Sequence, residues 1–220
     1  MDSRSAVPES SELLLSEESN PHLKLVAPAG KVPTVATPRR RRNAEYRTRE
    51  HLTEAEVERL IEATTSHRDA TMVLLAFRHG LRAAELVDLR WEQVDFDRGV
   101  LHVRRAKAGT PATHPLTGRE LRALRRLQRD NGPSTHLFMS ERKAPISVDG
   151  FQKMVERTST RAKLGFQAHA HMLRHACGYK LANDGTDTRT IQAYLGHKDI
   201  RHTVRYTELS PVRFKGLWRD

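Results

Sequence analysis

The chain has 220 residues, with 38 Lys and Arg against 27 Asp and Glu and a formal net charge of +11. That length suffices for one domain with a real core, and that charge points to a polyanionic partner, either nucleic acid or an anionic membrane surface. The longest apolar run, Met72 to Phe77, is too short to span a bilayer, and the single cysteine excludes an internal disulfide and fits a reducing compartment. The acidic amino-terminus has no basic flank ahead of an apolar segment and is not read as a secretory signal. The expectation is a cytoplasmic protein that meets DNA or RNA, with no membrane partner.

Residues 1–38 hold three basic and five acidic residues and are punctuated by Pro8, Pro21, Pro28, Pro33 and Pro38. No amphipathic period lasts there, so residues 1–47 are expected to be a disordered or loosely packed extension. Its end carries Arg39, Arg40, Arg41 and Arg42, read as a DNA-binding arm that follows phosphates or enters a minor groove; a solvated basic linker is the competing reading. Residues 48–220 are expected to fold as one domain.

Thr53 and Glu56 have capping-box spacing and Leu52 and Val57 staple spacing, which predicts a helix whose buried stripe is Val57, Leu60, Ile61 and Thr64. A second helix, about Asp69 to His79, is apolar nearly all round and belongs in the core, with Gly80 ending it. Arg82 then starts a new helix with Glu85 one turn on; in isolation an ordinary exposed i, i+3 pair is the plainer reading. Val94 to Val103 alternates around Asp97-Arg98-Gly99, a hairpin, and Ala112 to Leu116 is the returning strand. Lys107 sits at the second turn, where a solvated lysine is the plainer reading taken alone. Thr117 and Glu120 open a helix to about Asn131, apolar along Leu121, Leu124 and Leu127 and basic along Arg122, Arg125, Arg126 and Arg129. His136 to Met139 is expected to be a short strand, and Ser147 to cap a helix reaching about Leu164. Asp187 to Leu195 is a short helix closed by Gly196, and Ile200 to Thr207 is the last, carrying Tyr206.

The stretch HAHMLRHACGYKLANDG, His169 to Gly185, carries the most chemistry. At 3.6 residues per turn, Leu173, Ala176, Cys177 and Leu181 share one side. His171, Arg174, His175 and Gly178 share roughly the opposite one. An arginine and imidazoles one turn apart suit a phosphate, the guanidinium binding oxygens and the ring donating a hydrogen bond or moving a proton. Two competing readings are a surface helix that happens to hold these groups, and a zinc site built on His169, His171 and His175.

Arg82, Lys107, His171-Met172-Leu173-Arg174, Leu195-Gly196-His197 and Tyr206 occur in an order and spacing that resembles the tyrosine recombinase (phage integrase) family, from about Thr48 to the carboxyl-terminus. Within it, the chain is similar to the small recombinases that invert fimbrial phase-switch DNA, through His114-Pro115-Leu116, HMLRHACGYKLAND (171–184), YLGHKDIRHTV (194–204) and RFKGLW (213–218). The resemblance implies the family's catalytic-domain fold, mainly α with a small antiparallel β-sheet. It implies a site-specific DNA recombinase that cuts and rejoins DNA through a 3′-phosphotyrosine, as an inversion switch or the enzyme of a mobile element.

The same resemblance implies Tyr206 as the nucleophile, Arg82 and Arg174 as clamps on the non-bridging oxygens, and Lys107 as the acid for the leaving 5′-oxygen. His171 would assist proton transfer from the tyrosine, His197 would hydrogen-bond the phosphate, Glu85 would orient Arg82, and His175 would support the site. No cofactor and no metal are implied. The partners implied are double-stranded DNA, three further copies in a homotetramer on DNA and a DNA-bending helper protein, with the enzyme associated with the nucleoid. The 47 residues before Thr48 are too few and too Pro-rich for the helical amino-terminal domain of many members. Phe214, Leu217 and Trp218 are placed to dock in cis or on a neighbouring subunit. Relaxation of supercoils in the manner of a type IB topoisomerase and a non-catalytic DNA-binding regulator on the same fold are the alternatives.

Overall fold

Start signals in the sequence set most of the helix boundaries. In a computed structural model, which describes residues 49–106 and 109–208, Thr53 caps α1 (Glu54–Glu62) through a capping box with Glu56, and Leu52 and Val57 are both buried beside it. Ser66 caps α2 (His67–Arg78), two residues earlier than the apolar period predicts, by accepting from the Asp69 N–H. Met72 to Phe77 are buried on every side because α2 packs against α1, against α4 (Gly118–Asn131) and against α6 (Ala170–Asn183).

Gly80, at φ +56, turns the chain out of α2 towards the short helix α3 (Ala83–Val87), with Arg82 at its cap. β1 (Val94–Asp95), β2 (Val100–Val103) and β3 (Ala112–Pro115) form an antiparallel sheet in that order, with Val94 opposite Leu101 and Leu101 opposite His114. The expected hairpin and returning strand are both present. α5 (Val148–Arg161) is capped by Ser147, α7 (Thr188–Leu195) by Asp187, and α8 (Arg201–Glu208) ends the described chain.

Three expectations need correction. His136 to Met139 makes isolated bridges, Arg90 with His136 and Met139 with Pro145, rather than a strand. Leu137 and Phe138 are both buried, so the period-two alternation of a strand face is absent. Ile61, Thr64 and Leu181 are only half-buried at the margins of their stripes. The competing reading of a surface helix at His169 to Gly185 fails: α6 buries Leu173, Ala176 and Cys177 on one side and Arg174 and Gly178 on the other, with Met172 and Tyr179 buried between them. α8 lies over that second side, so both faces are covered and amphipathicity disappears. Among the described residues no helix is long and apolar enough to cross a membrane.

Candidate active site

Four elements converge on one place: the start of α3, the middle of α6, the end of α7 and α8. Gly185, at φ +84, follows the Asp184 cap of α6 and releases the chain into α7. Gly196, left-handed at φ +64, closes α7 and delivers His197 back towards α6. α8 then returns Tyr206 onto α6 at Gly178, where an added Cβ would lie 2.6 Å from the tyrosine ring. The absence of a side chain at Gly178 is therefore what seats Tyr206.

Glu85 is the electrostatic centre. Its carboxylate is 1% exposed and faces three guanidiniums: Arg82 at 2.6 Å, Arg105 at 3.0 Å and Arg174 at 3.8 Å. It also accepts from the backbone N–H groups of Arg82 and Ala106, both at 3.0 Å. Burial alone would raise its pKa, but these N–H donors and the guanidiniums outweigh it and hold the carboxyl below its ordinary value. The plain surface-pair reading of Arg82 and Glu85 is thus corrected, because Arg105 and Arg174 cover the carboxylate from the protein side. Three cations against one anion leave the cluster positive, a fit for an incoming phosphodiester.

Arg174 is 1% exposed, donates to the carbonyl of Gly80 and, at 2.7 Å, to that of Leu195. Burial and the neighbouring Arg82 and Arg105 pull its pKa down to about 10. It stays charged at neutral pH. The Tyr206 hydroxyl lies 2.9 Å from Nδ1 of His175. Burial pushes that phenol up to about 12 against the opposing fields of Arg174 and Arg205, and pushes His175 down to about 3. The ground state is therefore a neutral phenol on a neutral imidazole. His171 sits at the exposed rim with its ring edge-on to His175, centroids 4.5 Å apart. His197 lies with its ring 6.3 Å from Tyr206 and its Nδ1 2.8 Å from the buried Thr203 hydroxyl. Burial, then Arg174 and Arg82, bring it down to about 3.

The structure thus gathers Arg82, Glu85, Arg174, His175, His197 and Tyr206, with His171 at the edge. Lys107 and Arg39 to Arg42 lie outside the described residues, as do Phe214, Leu217 and Trp218. Among the described residues no group of three His, Cys, Asp or Glu is disposed to hold a metal. Arg105 escaped the sequence reading although a signal was there: Leu101, Val103 and Arg105 follow period two and are all buried. A second buried group was also missed. His79 pairs with Glu120 at 2.8 Å, its other ring nitrogen lies 3.2 Å from His114, and His114 stacks on Tyr194 at 3.8 Å. These residues come from the cap of α2 and from α4, β3 and α7, and no spacing rule joins them.

The phage integrase family profile matches residues 50–213. The chain is 41% identical over 180 residues to the type 1 fimbriae regulatory protein FimE of Escherichia coli K12, spanning 77% of this chain and 91% of that one. It is 35% identical over 160 residues to the tyrosine recombinase XerC of Xanthomonas campestris pv. campestris, spanning 70% of this chain and 49% of that one. Among solved structures, that of XerA recombinase superposes with a TM-score of 0.67 at 26% identity, covering 76% of this chain and 63% of the other.

Proposed function

Because this chain belongs to the phage integrase family and is a tyrosine-type site-specific DNA recombinase, we propose that Tyr206 cuts and rejoins DNA as the switch of an invertible element. The observation that carries this reading is Tyr206 seated on His175 at 2.9 Å, within the fields of Arg174 and Arg205. Similarity to FimE over nearly that protein's whole length supports inversion over other outcomes. Residues 48–220 would form the catalytic domain.

In the proposed step the Tyr206 oxygen attacks a phosphorus of double-stranded DNA. A 3′-phosphotyrosine forms as the bond to the 5′-oxygen breaks, and Lys107 gives that oxygen its proton. Arg82 and Arg174 bind the non-bridging oxygens, where charge builds up in the transition state. His197 donates a hydrogen bond to the same group. The tyrosine proton goes to His175, the ring in reach, with His171 beside it to pass the proton to solvent. An arriving phosphate favours the charged form of nearby imidazoles, so His175 becomes a competent base as DNA binds. Rejoining is the reverse step and needs no ATP, because the phosphotyrosine conserves the bond.

Four copies on two paired sites would complete the exchange. A DNA-bending helper would bring the sites together, and Arg39 to Arg42 would add phosphate contacts. The enzyme would act in the cytoplasm on the nucleoid.

The test is a nicked suicide duplex that cannot rejoin, run with native protein and Tyr206→Phe on a denaturing gel, with candidate sites taken from the DNA flanking the gene. A covalent protein–DNA band from the native protein alone is the expected result. A band that survives Tyr206→Phe would overturn the assignment of the nucleophile.

A further inference from the structure

Arg105 is the third guanidinium on Glu85, and its side chain is fully buried, with 0% exposure. Both of its terminal nitrogens are bound to protein groups, and they link Glu85 of α3 to the end of α7. One terminal nitrogen binds Glu85 at 3.0 Å. The other donates to the carbonyl of Tyr194 and, at 3.3 Å, to that of His79. Arg174 takes the next carbonyl of α7, that of Leu195. Two buried arginines therefore terminate α7 just ahead of His197, where the helix dipole concentrates negative charge.

The stem of Arg105 is held as closely as its head. A Cβ on Gly196 would come within 2.8 Å of Arg105 Cγ, and one on Gly109 within 2.9 Å of Arg105 Cβ. Two glycine backbones thus pack directly on the side chain. The left-handed turn that orients His197 and the far side of the β2–β3 connection both rest on it.

The charge balance gives this position its consequence. Glu85 carries one negative charge. Arg82 binds it at 2.6 Å and Arg174 stands 3.8 Å away; with Arg105 matching the carboxylate from the interior, the charge of those two is left unbalanced. Without Arg105, neutralising the carboxylate falls to those two alone.

We propose that Arg105 is a positioning residue for DNA cleavage: it neutralises Glu85 from the buried side and closes the end of α7, so that the charges of Arg82 and Arg174 are left unbalanced for the scissile phosphate. The inference rests on the assignment of Tyr206 and the two clamping arginines above.

Single-turnover cleavage of the suicide duplex tests it in native protein, Arg105→Lys, Arg105→Met, Glu85→Gln and the double variant Arg105→Met with Glu85→Gln. Arg105→Met is expected to slow cleavage about 100-fold while the DNA concentration for half-saturation shifts less than about 3-fold. Arg105→Lys keeps the charge and should recover most of the rate, to within about 10-fold of native. The double variant removes charge and counter-charge together, a change buried pairs tolerate. It should cleave nearly as fast as Glu85→Gln alone rather than showing the product of both losses. A merely structural role for Arg105 gives that product instead and overturns the inference, as does full-rate cleavage by Arg105→Met. Absence of a Tyr206-dependent band from the native protein would instead sink the assignment of the site, and this inference with it.

Discussion

α4 and α6 are each fourteen residues long and rich in basic groups, yet they place them in opposite ways. On α4, Leu124 and Leu127 are buried while Arg122, Arg125, Arg126 and Arg129 stand in solvent. On α6, Arg174 is among the largest fully buried side chains in the structure. The difference is made by the neighbours, not by the helices. α4 has a partner on one face only, whereas α6 is covered by α2 on one side and α8 on the other. A buried arginine then requires carbonyls and a carboxylate, and those come from Gly80, Leu195 and Glu85, residues far away in the chain.

Substitution should separate the two helices sharply. Arg174→Ala is expected to reduce cleavage by at least about 10³-fold and to cost about 3 kcal/mol of stability, since it leaves two buried carbonyls and part of Glu85 unmatched. Single-turnover cleavage and urea unfolding would measure both. Next in size is Gly178→Ala, which drives a methyl into the Tyr206 ring and should cost about 2 kcal/mol with a loss of cleavage. Gly118→Ala at the start of α4 meets only the flexible end of Arg122 and should be close to neutral in the same assay.

Acid extends the contrast to the buried histidines behind the site. Burial, with His79 alongside, lowers His114 from 6.5 to about 3. The unfolded chain therefore takes up this proton first. The stabilisation is complete above about pH 6.5 and is lost as pH falls towards 3. Between pH 7 and 5 the loss amounts to about 2 kcal/mol from this ring. His114→Gln should flatten that part of the stability profile measured by urea unfolding. The smallest effect belongs to α4: Arg126→Ala removes an exposed 3.6 Å pair with Asp130 and should change stability by less than about 0.5 kcal/mol in thermal melts.

Local rules explain why α4 was legible and half of α6 was not. Thr53, Ser147, Asp187 and Gly196 announce helix ends through neighbours within four residues, and the structure places those ends where the sequence suggests. Arg82, Glu85, Arg174, His197 and Tyr206 could be picked out by resemblance, and they converge in space. Arg105 could not, because beside Arg104 it reads as one more surface charge; only its phase with Leu101 and Val103 betrays it. The His79–Glu120–His114–Tyr194 group lies further still from any pattern, being assembled from four elements. His175 had been given a supporting place, yet it is the ring that meets the tyrosine hydroxyl. A helical wheel assigns a side, but not the neighbour covering that side.

The chain's first described residues meet α8, the last described helix, and α6: Glu50 pairs with Arg205, and His51 lies on Tyr179 with ring centroids 3.9 Å apart. This clasp spans a loop of 155 residues, so the entropy of closing it is recovered only when the rest of the domain is in place. The pair itself is solvent-exposed and adds little. α8, at eight residues, cannot hold its helical form alone. In folding order, then, the tyrosine helix docks late and detaches early. Amide exchange should find its opening cheaper than that of α2, giving Tyr206 a separate, low-energy mode of local unfolding.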